Sequence, residues 1–512
     1  LTGADRAATV DVWLRRVFDA RRLPEPQATM GGVMRLEHCD ETNERLSNRR
    51  SFLGRASLGL GAAGLTSLLK ADEFPGKRGV PPGFDGVLHH APTAKRVIFL
   101  CMAGGPSHLE SFDEKPKLAE MHGKPMPASV TQGQPIAQLQ GQKLVCQAPL
   151  LKFKRWGKSG QPISEVFPQI GSVADESCVV RALHTDQINH DPAHTVMNTG
   201  TPISGRPSMG SWATYGLGSE SENLPGFVVL TSIGGRNPQP IAVRQWSSGF
   251  LPGRYQGVPF QSSGDAVHYV GNPRGVNRAR QQDVLETLAD LNRLREQQTT
   301  DPEIATRISQ YELAFRMQRG VPELMDIADE PKHVLDMYGT AAADGSYAYN
   351  CLLARRLAER GVRFIHLYHR GWDHHNDLTR YMKMCAGLCD RPTAALIRDL
   401  KQRDMLKDTL IVWGGEFGRQ PTAEYARGTG RDHNSFGFTM WMAGGGIKGG
   451  VSVGKTDELG STAVEDRMHV KRLHATILHQ MGMDPDRLSY FYGGLDQKLV
   501  GVEGAEPIRQ II

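Results

Sequence analysis

The 512-residue sequence is poor in several features that would fix its class at once, and each scarcity excludes something. Its seven cysteines, at 39, 101, 146, 178, 351, 385 and 389, include no Cys-x-x-Cys pair and no zinc-ribbon spacing, and no disulfide framework is indicated. Cys101 and Cys178 stand in apolar runs, where free thiols are ordinarily buried, and Cys385 and Cys389 are one helical turn apart, a spacing for neighbours on a helix face. No block of lysine and arginine occurs: the formal net charge of +5 is spread along the chain, which gives no support to nucleic-acid binding and leaves acidic small substrates open. The apolar run that most invites a membrane reading, Leu58 to Leu69, is diluted by glycine and alanine. It falls far short of the roughly 20 residues of a spanning helix, so no stable span is expected after processing. With 39% hydrophobic residues, 22% charged residues and 57 glycines, the composition is globular, which excludes a coiled coil, a collagen-like repeat and a charge-driven disordered chain.

What is present begins with Asn48-Arg49-Arg50-Ser51-Phe52-Leu53-Gly54. Paired arginines ahead of a short apolar run and a small-residue exit predict a twin-arginine export signal over residues 48–71. That makes the twin-arginine export machinery a partner and the location periplasmic or otherwise extracytoplasmic. The plain alternative is an amphipathic helix with a basic start. Twin-arginine export moves chains already folded, which suits a protein that acquires a metal in the cytoplasm. Residues 1–47 form an extension that is long and mixed in charge for a leader's basic region. The natural start is expected at Met30 or Met34, with Leu1 to Thr29 carrying no function.

From Lys95 to Met102 the chain is continuous, apolar and rich in β-branched residues, then breaks at Gly104-Gly105-Pro106, which predicts a strand buried on both faces. Runs of the same kind fall at 178–183, 226–230, 362–368 and 409–413, alternating with helical patterns at 164–174, 279–297 and 342–360. Such alternation predicts an α/β fold wound on both sides of a mostly parallel sheet. The main domain is drawn over residues 90–512 with an insertion around 232–340, whose Gly/Pro/Gln-rich first part, 232–275, reads as surface loop.

In such a sheet the site forms beyond the carboxyl ends of the strands. The residues there are Gly104-Gly105-Pro106-Ser107-His108, then Asn189-His190-Asp191-Pro192-Ala193-His194, then His369-Arg370-Gly371-Trp372-Asp373-His374-His375, and finally Glu416-Phe417-Gly418-Arg419 with Gly430-Arg431-Asp432-His433-Asn434. Imidazoles and carboxylates converging from separate elements are what a divalent cation requires. His190, His194, Asp373, His375, Glu416, Asp432 and His433 are the candidate ligands, for zinc, calcium or magnesium. Any one of them taken singly has a plainer role, bonding the loops at strand ends; their joint occurrence favours the site. His190 and His194 share a face if Asp191 to Asn198 is helical, with Pro192 tolerated in the first turn. His108, Arg370, Arg419 and Arg431 are candidates for binding an anionic substrate. Ser107 is either a nucleophile or a turn serine capping the segment after it. His474 and His479 fall on an amphipathic pattern near the carboxyl terminus and are assigned to packing or capping.

A resemblance rests on the order of Gly-Gly-Pro-Ser-His at 104–108, Met-Asn-Thr-Gly at 197–200, Gly-Arg-Pro-Ser-Met-Gly-Ser-Trp at 205–212 and Tyr-His-Arg-Gly-Trp-Asp-His-His at 368–375. It continues through Trp-Gly-Gly-Glu-Phe-Gly-Arg at 413–419, Gly-Arg-Asp-His-Asn at 430–434 and Leu-His-Ala-Thr-Ile-Leu-His at 473–479. The chain resembles, over nearly all of its length after the leader, the exported bacterial family called domain of unknown function 1501. That family is grouped with alkaline phosphatases and sulfatases, which implies a three-layer α/β/α fold with an alkaline-phosphatase-like core and, by analogy, metal-assisted hydrolysis of phosphate or sulfate esters. The analogy is uneven. Gly104-Gly105 stand where sulfatases carry paired metal-binding aspartates. The sulfatase nucleophile motif, Cys or Ser then x-Pro-Ser-Arg, lies over His190-Asp191-Pro192-Ala193-His194. His190 therefore takes the nucleophile's place, and formylglycine chemistry is not expected. The late carboxylate pair becomes Glu416-Phe417, and Asp432-His433 falls near a later basic or metal-binding position. His190 is a phosphoryl-accepting nucleophile or a ligand, and ligand is favoured. The expectation is an exported hydrolase acting on a small-molecule or glycan anionic ester through a metal-activated water. The rival is a non-catalytic relative that binds a glycan, an anion or a protein partner.

Overall fold

The apolar runs become strands of one nine-stranded sheet in the computed structural model of the chain, which describes residues 88–512 apart from stretches within 132–142, 237–240, 263–301 and 424–428. The extension 1–47 and the export segment 48–71 lie outside the described residues. In chain order the strands are β1 (Arg96–Ala103), β2 (Ser177–His184), β3 (Phe227–Ser232), β4 (Val258–Phe260), β5 (Phe364–Arg370), β6 (Thr409–Gly414), β7 (Phe438–Ala443), β8 (Val451–Val453) and β9 (Met468–His469). Across the sheet they run β8-β2-β7-β6-β1-β5-β3-β4, with β9 joining the end of β2. Among the described residues only β7 is antiparallel in this sheet, to both β2 and β6. The remaining pairings are parallel, as expected for strands separated by helical crossovers.

Six helices matter to the site: α1 (His190–Thr199), α2 (Met209–Leu217), α3 (Pro302–Met325), α4 (Tyr347–Glu359), α5 (Leu378–Gln402) and α6 (Val470–Gln480). The alternation of β1 shows how they are layered. Ile98, Leu100 and Met102 enter one core with apolar residues of α3, α4 and α5, whereas Val97, Phe99, Cys101 and Ala103 enter another with residues of α1, α2 and α6. Both faces of the central strand are therefore dry, and the fold has three layers, α/β/α, as its near-continuous apolar sequence requires. Among the described residues no helix is long and apolar enough to cross a membrane.

Register brings three strand ends level. Ala103 pairs with Arg370 on one side of β1, and Cys101 pairs with Gly414 on the other, so the segments that follow β1, β5 and β6 leave the sheet together.

Two expectations are corrected. The helical pattern at 164–174 forms only a four-residue helix at Pro168–Gly171, opened by its proline, and a 3-10 turn at Ala174–Glu176, because Ser164 ends a short strand and the next strand begins at Ser177. Residues 232–275 are more than surface loop: they supply the edge strand β4 and bury Trp246, Tyr255 and Phe260. A three-residue strand is too short to leave a periodic trace. The helix expected at 279–297 is helical at 280–288, and much of the remainder lies outside the described residues.

Candidate metal centre

At the end of β1, Gly104 adopts φ +123, and a Cβ there would lie 2.5–2.8 Å from the backbone of Trp372 and Asp373. Glycine is required because two chain segments touch at that point. The Gly104 amide donates to both carboxylate oxygens of Glu416, at 3.0 and 3.2 Å. Gly104 and Gly105 thus mark the place where the segments after β1, β5 and β6 close on one another.

Helix α1 delivers two imidazoles. Asn189 precedes it in an extended conformation, Asp191 lies in its first turn near the positive end of the helix dipole, and Gly200 closes it in the left-handed region. His190 Nδ1 donates to Glu416 Oε1 at 2.6 Å, and one turn later His194 Nε2 lies 3.4 Å from the same oxygen.

Asp373, three residues beyond β5, is the hub. Its Oδ1 lies 2.8 Å from His375 Nε2, 3.2 Å from His190 Nε2 and 3.3 Å from His433 Nε2, and 2.6 Å from Arg419 Nη2. Its Oδ2 accepts from the side-chain amide of Gln239 at 2.6 Å. His433 arrives on a two-residue antiparallel pairing with Arg419, and its Nδ1 donates to the carbonyl of Ile188 at 2.7 Å, which turns Nε2 inward. His375 and His433 bring their Nε2 atoms to 3.0 Å. The ring of Phe417 packs on His190 and His433 at centroid distances of 4.9 and 4.5 Å, closing one side.

The electrostatics follow from burial and neighbours. Burial opposes ionisation of Asp373, but Arg419 and the surrounding imidazoles outweigh it and hold the carboxyl far below the usual range. Burial likewise opposes a charge on Glu416, and His194 and His190 bring it down to about 2. Desolvation takes His433 down to about 4 and also lowers His194. His190 is the exception. Burial works against its charged form, yet Asp373 and Glu416 raise it above the ordinary value. A positive charge between those two carboxylates is thereby favoured, whether carried by a proton or by a cation.

One atom each from His190, Asp373, His375 and His433 lies within 4.8 Å of the other three, a group that could hold a metal ion. Of the remaining expected ligands, Glu416 and His194 stand behind His190. The Asp432 carboxylate accepts the His433 amide at 2.8 Å, bracing the turn that carries the ligand.

The expected substrate contacts are placed differently. Arg431 is fully buried, its guanidinium held by Glu110 at 2.7 Å and by the carbonyls of Gln147 and Ala148, with no face open to an ester. Arg419 is also fully buried and spans the carbonyls of Gly104 and Gly105 and the carboxylate of Asp373, so it positions the hub. His108 is buried against the Gly460 carbonyl at 2.8 Å. Ser107 is buried and donates to the Glu110 carboxylate, and its side chain caps no backbone amide of the turn that follows. Arg370 ends β5 half-buried. Gln239 went unforeseen, since nothing in the Gly/Pro/Gln-rich stretch distinguishes it from its neighbours.

The family model described as "Protein of unknown function (DUF1501)" matches residues 94–512. No curated protein matches the sequence. Among solved structures the chain is similar to a sulfatase, PsFucS1 from Pseudoalteromonas sp., at 12% identity over 81% of this chain and 73% of that one, with a TM-score of 0.33. It is similar also to a phosphonate monoester hydrolase from Silicibacter pomeroyi, at 12% identity over 67% and 71%, TM-score 0.30. A third is the TAB5 alkaline phosphatase, a mutant with Mg bound, at 10% identity over 69% and 92%, TM-score 0.26.

Proposed function

We propose that this chain, which belongs to the DUF1501 family through residues 94–512, is a divalent-cation-dependent hydrolase of phosphate, sulfate or related anionic esters. The observation that carries the reading is the convergence of His190, His375 and His433 Nε2 with Asp373 Oδ1 at the carboxyl edge of the sheet. The donors fit a cation. His190 and His433 each commit Nδ1–H to a backing acceptor, and His190 Nε2 is buried without a hydrogen-bond partner, near Asp373 but not aligned to bond it. A cation bound there supplies Lewis acidity toward an ester oxygen and a lowered pKa for a water. The chain's own residues do the positioning: Glu416 orients His190, Arg419 anchors Asp373, and Phe417 excludes water from one side. The His375 side chain, at 19% the most exposed of the four, marks the side from which an ester enters.

The same reading takes the protein to be exported by the twin-arginine machinery through Arg49 and Arg50, and its substrate to be a small or glycan-borne anionic ester met outside the cytoplasm.

One observation favours the rival, a non-catalytic protein that binds a glycan, an anion or a protein partner. Four protein donors close a tetrahedral shell, as structural sites do, whereas catalytic sites usually keep a position open. Hydrolysis decides between them. Metal-loaded protein is assayed on 4-nitrophenyl phosphate, bis(4-nitrophenyl) phosphate, a phosphonate monoester and 4-nitrophenyl sulfate, before and after chelation and as His375→Ala. Turnover of at least one ester, abolished by chelation and lowered at least about 100-fold by the substitution, is the expected result. Loaded protein that keeps its metal and turns over none of the four contradicts the hydrolase.

A further inference from the structure

The identity of the cation can be read from the shell around the cluster, an inference that rests on the cluster being a cation site. Calcium takes six to eight oxygen ligands at about 2.3–2.6 Å, and magnesium prefers oxygen in a near-ideal octahedron. The four side chains here present three imidazole nitrogens and one carboxylate oxygen, the donor type that suits zinc and its transition-metal neighbours. Their spacing fits a close shell without choosing the metal: bonds of about 2.0–2.1 Å give edges of about 3.3 Å in a tetrahedron and about 2.9 Å in an octahedron. The separations are 2.8, 3.2 and 3.3 Å from Asp373 Oδ1 to the three imidazoles and 3.0 Å between His375 and His433, and the four donor atoms all lie within 4.8 Å of one another.

Outer contacts restrict the donors further. The Nδ1 atoms of His190 and His433 are engaged by Glu416 Oε1 at 2.6 Å and the Ile188 carbonyl at 2.7 Å, so only Nε2 of each ring is presented. The decisive group is Gln239. Its amide holds Asp373 Oδ2 at 2.6 Å while Oδ1, which also accepts from Arg419 Nη2 at 2.6 Å, faces the imidazoles; this keeps Asp373 a one-oxygen donor and withholds the bidentate carboxylate that a larger, oxygen-seeking cation would use.

We infer that the cluster selects a zinc-class cation over magnesium and calcium, bound by His190, His375, His433 and one oxygen of Asp373, and that Gln239 is a positioning residue for that selectivity.

The test uses the intact protein, stripped with a chelator and titrated with zinc in the presence and absence of millimolar magnesium and calcium. Cobalt(II) is loaded in parallel as a spectroscopic probe. One equivalent of zinc, undisturbed by the other two cations, and the strong visible absorption of four- or five-coordinate cobalt are expected. Gln239→Leu should weaken zinc binding about 10–100-fold, the usual effect of losing an outer-shell partner, and His433→Ala by more. Unfolding curves matching the parent establish that both variants fold. Preferential uptake of magnesium or calcium, the faint absorption of six-coordinate cobalt, or a Gln239→Leu protein with parental zinc affinity would each overturn the inference. Ester hydrolysis supported by magnesium alone would overturn it while leaving the hydrolase intact. Zinc binding without hydrolysis does the reverse.

Discussion

Gly104 shows how much a single residue can decide. Its φ of +123 and the nearness of the Trp372 and Asp373 backbone leave no place for a methyl group, and its amide donates to the fully buried carboxylate of Glu416. Gly104→Ala is therefore expected to cost at least about 1–3 kcal/mol from backbone strain alone, and to push apart the segments carrying Asp373 and Glu416. Urea unfolding of the variant measures this, and a midpoint equal to the parent's would contradict it. In the sequence the same glycine registers as the break that ends a strand and, by analogy, as a missing aspartate. A residue valued for the side chain it lacks gives no chemical signal until the neighbouring segment is seen.

At the scale of elements, legibility followed length and repetition. The eight-residue run of β1, buried on both faces, and the helix carrying His190 and His194 were readable because apolar continuity and four-residue spacing have one simple realisation each. The strands at 178–183, 226–230, 362–368 and 409–413 lie within a residue or two of their expected bounds for the same reason. The two-residue pairing of Gly418–Arg419 with His433–Asn434 was not readable, though it brings His433 to Asp373, because two residues carry no period. Nor was the role of 232–275, where one short strand and one glutamine matter among many residues of similar composition. The candidate ligands could be named from their density at strand ends. Which four converge, and which stand one layer behind, depends on the registers of β1 with β5 and β6, which the sequence leaves undetermined.

For the molecule as a whole, the buried and half-buried histidines outside the cluster set a pH response. Burial takes His366 and His369 down to about 3 and His184 and His474 down to about 4. The unfolded chain protonates these groups below about pH 6.5 while the folded chain does not, so the unfolded state binds more protons in that range. Stability from this source is complete above pH 6.5 and is lost as pH falls from there toward about 4. Thermal unfolding followed from pH 7.5 to 5 should show a steadily falling Tm, and a flat profile would place these imidazoles in solvent. The central claim is narrower and can be met by one experiment: anomalous diffraction at the zinc edge from crystals of the intact protein equilibrated with zinc. A single strong peak about 2.0–2.2 Å from the Nε2 atoms of His190, His375 and His433 and from one Asp373 oxygen is the predicted result. A map with no peak there, or with its only peak elsewhere in the molecule, would contradict it.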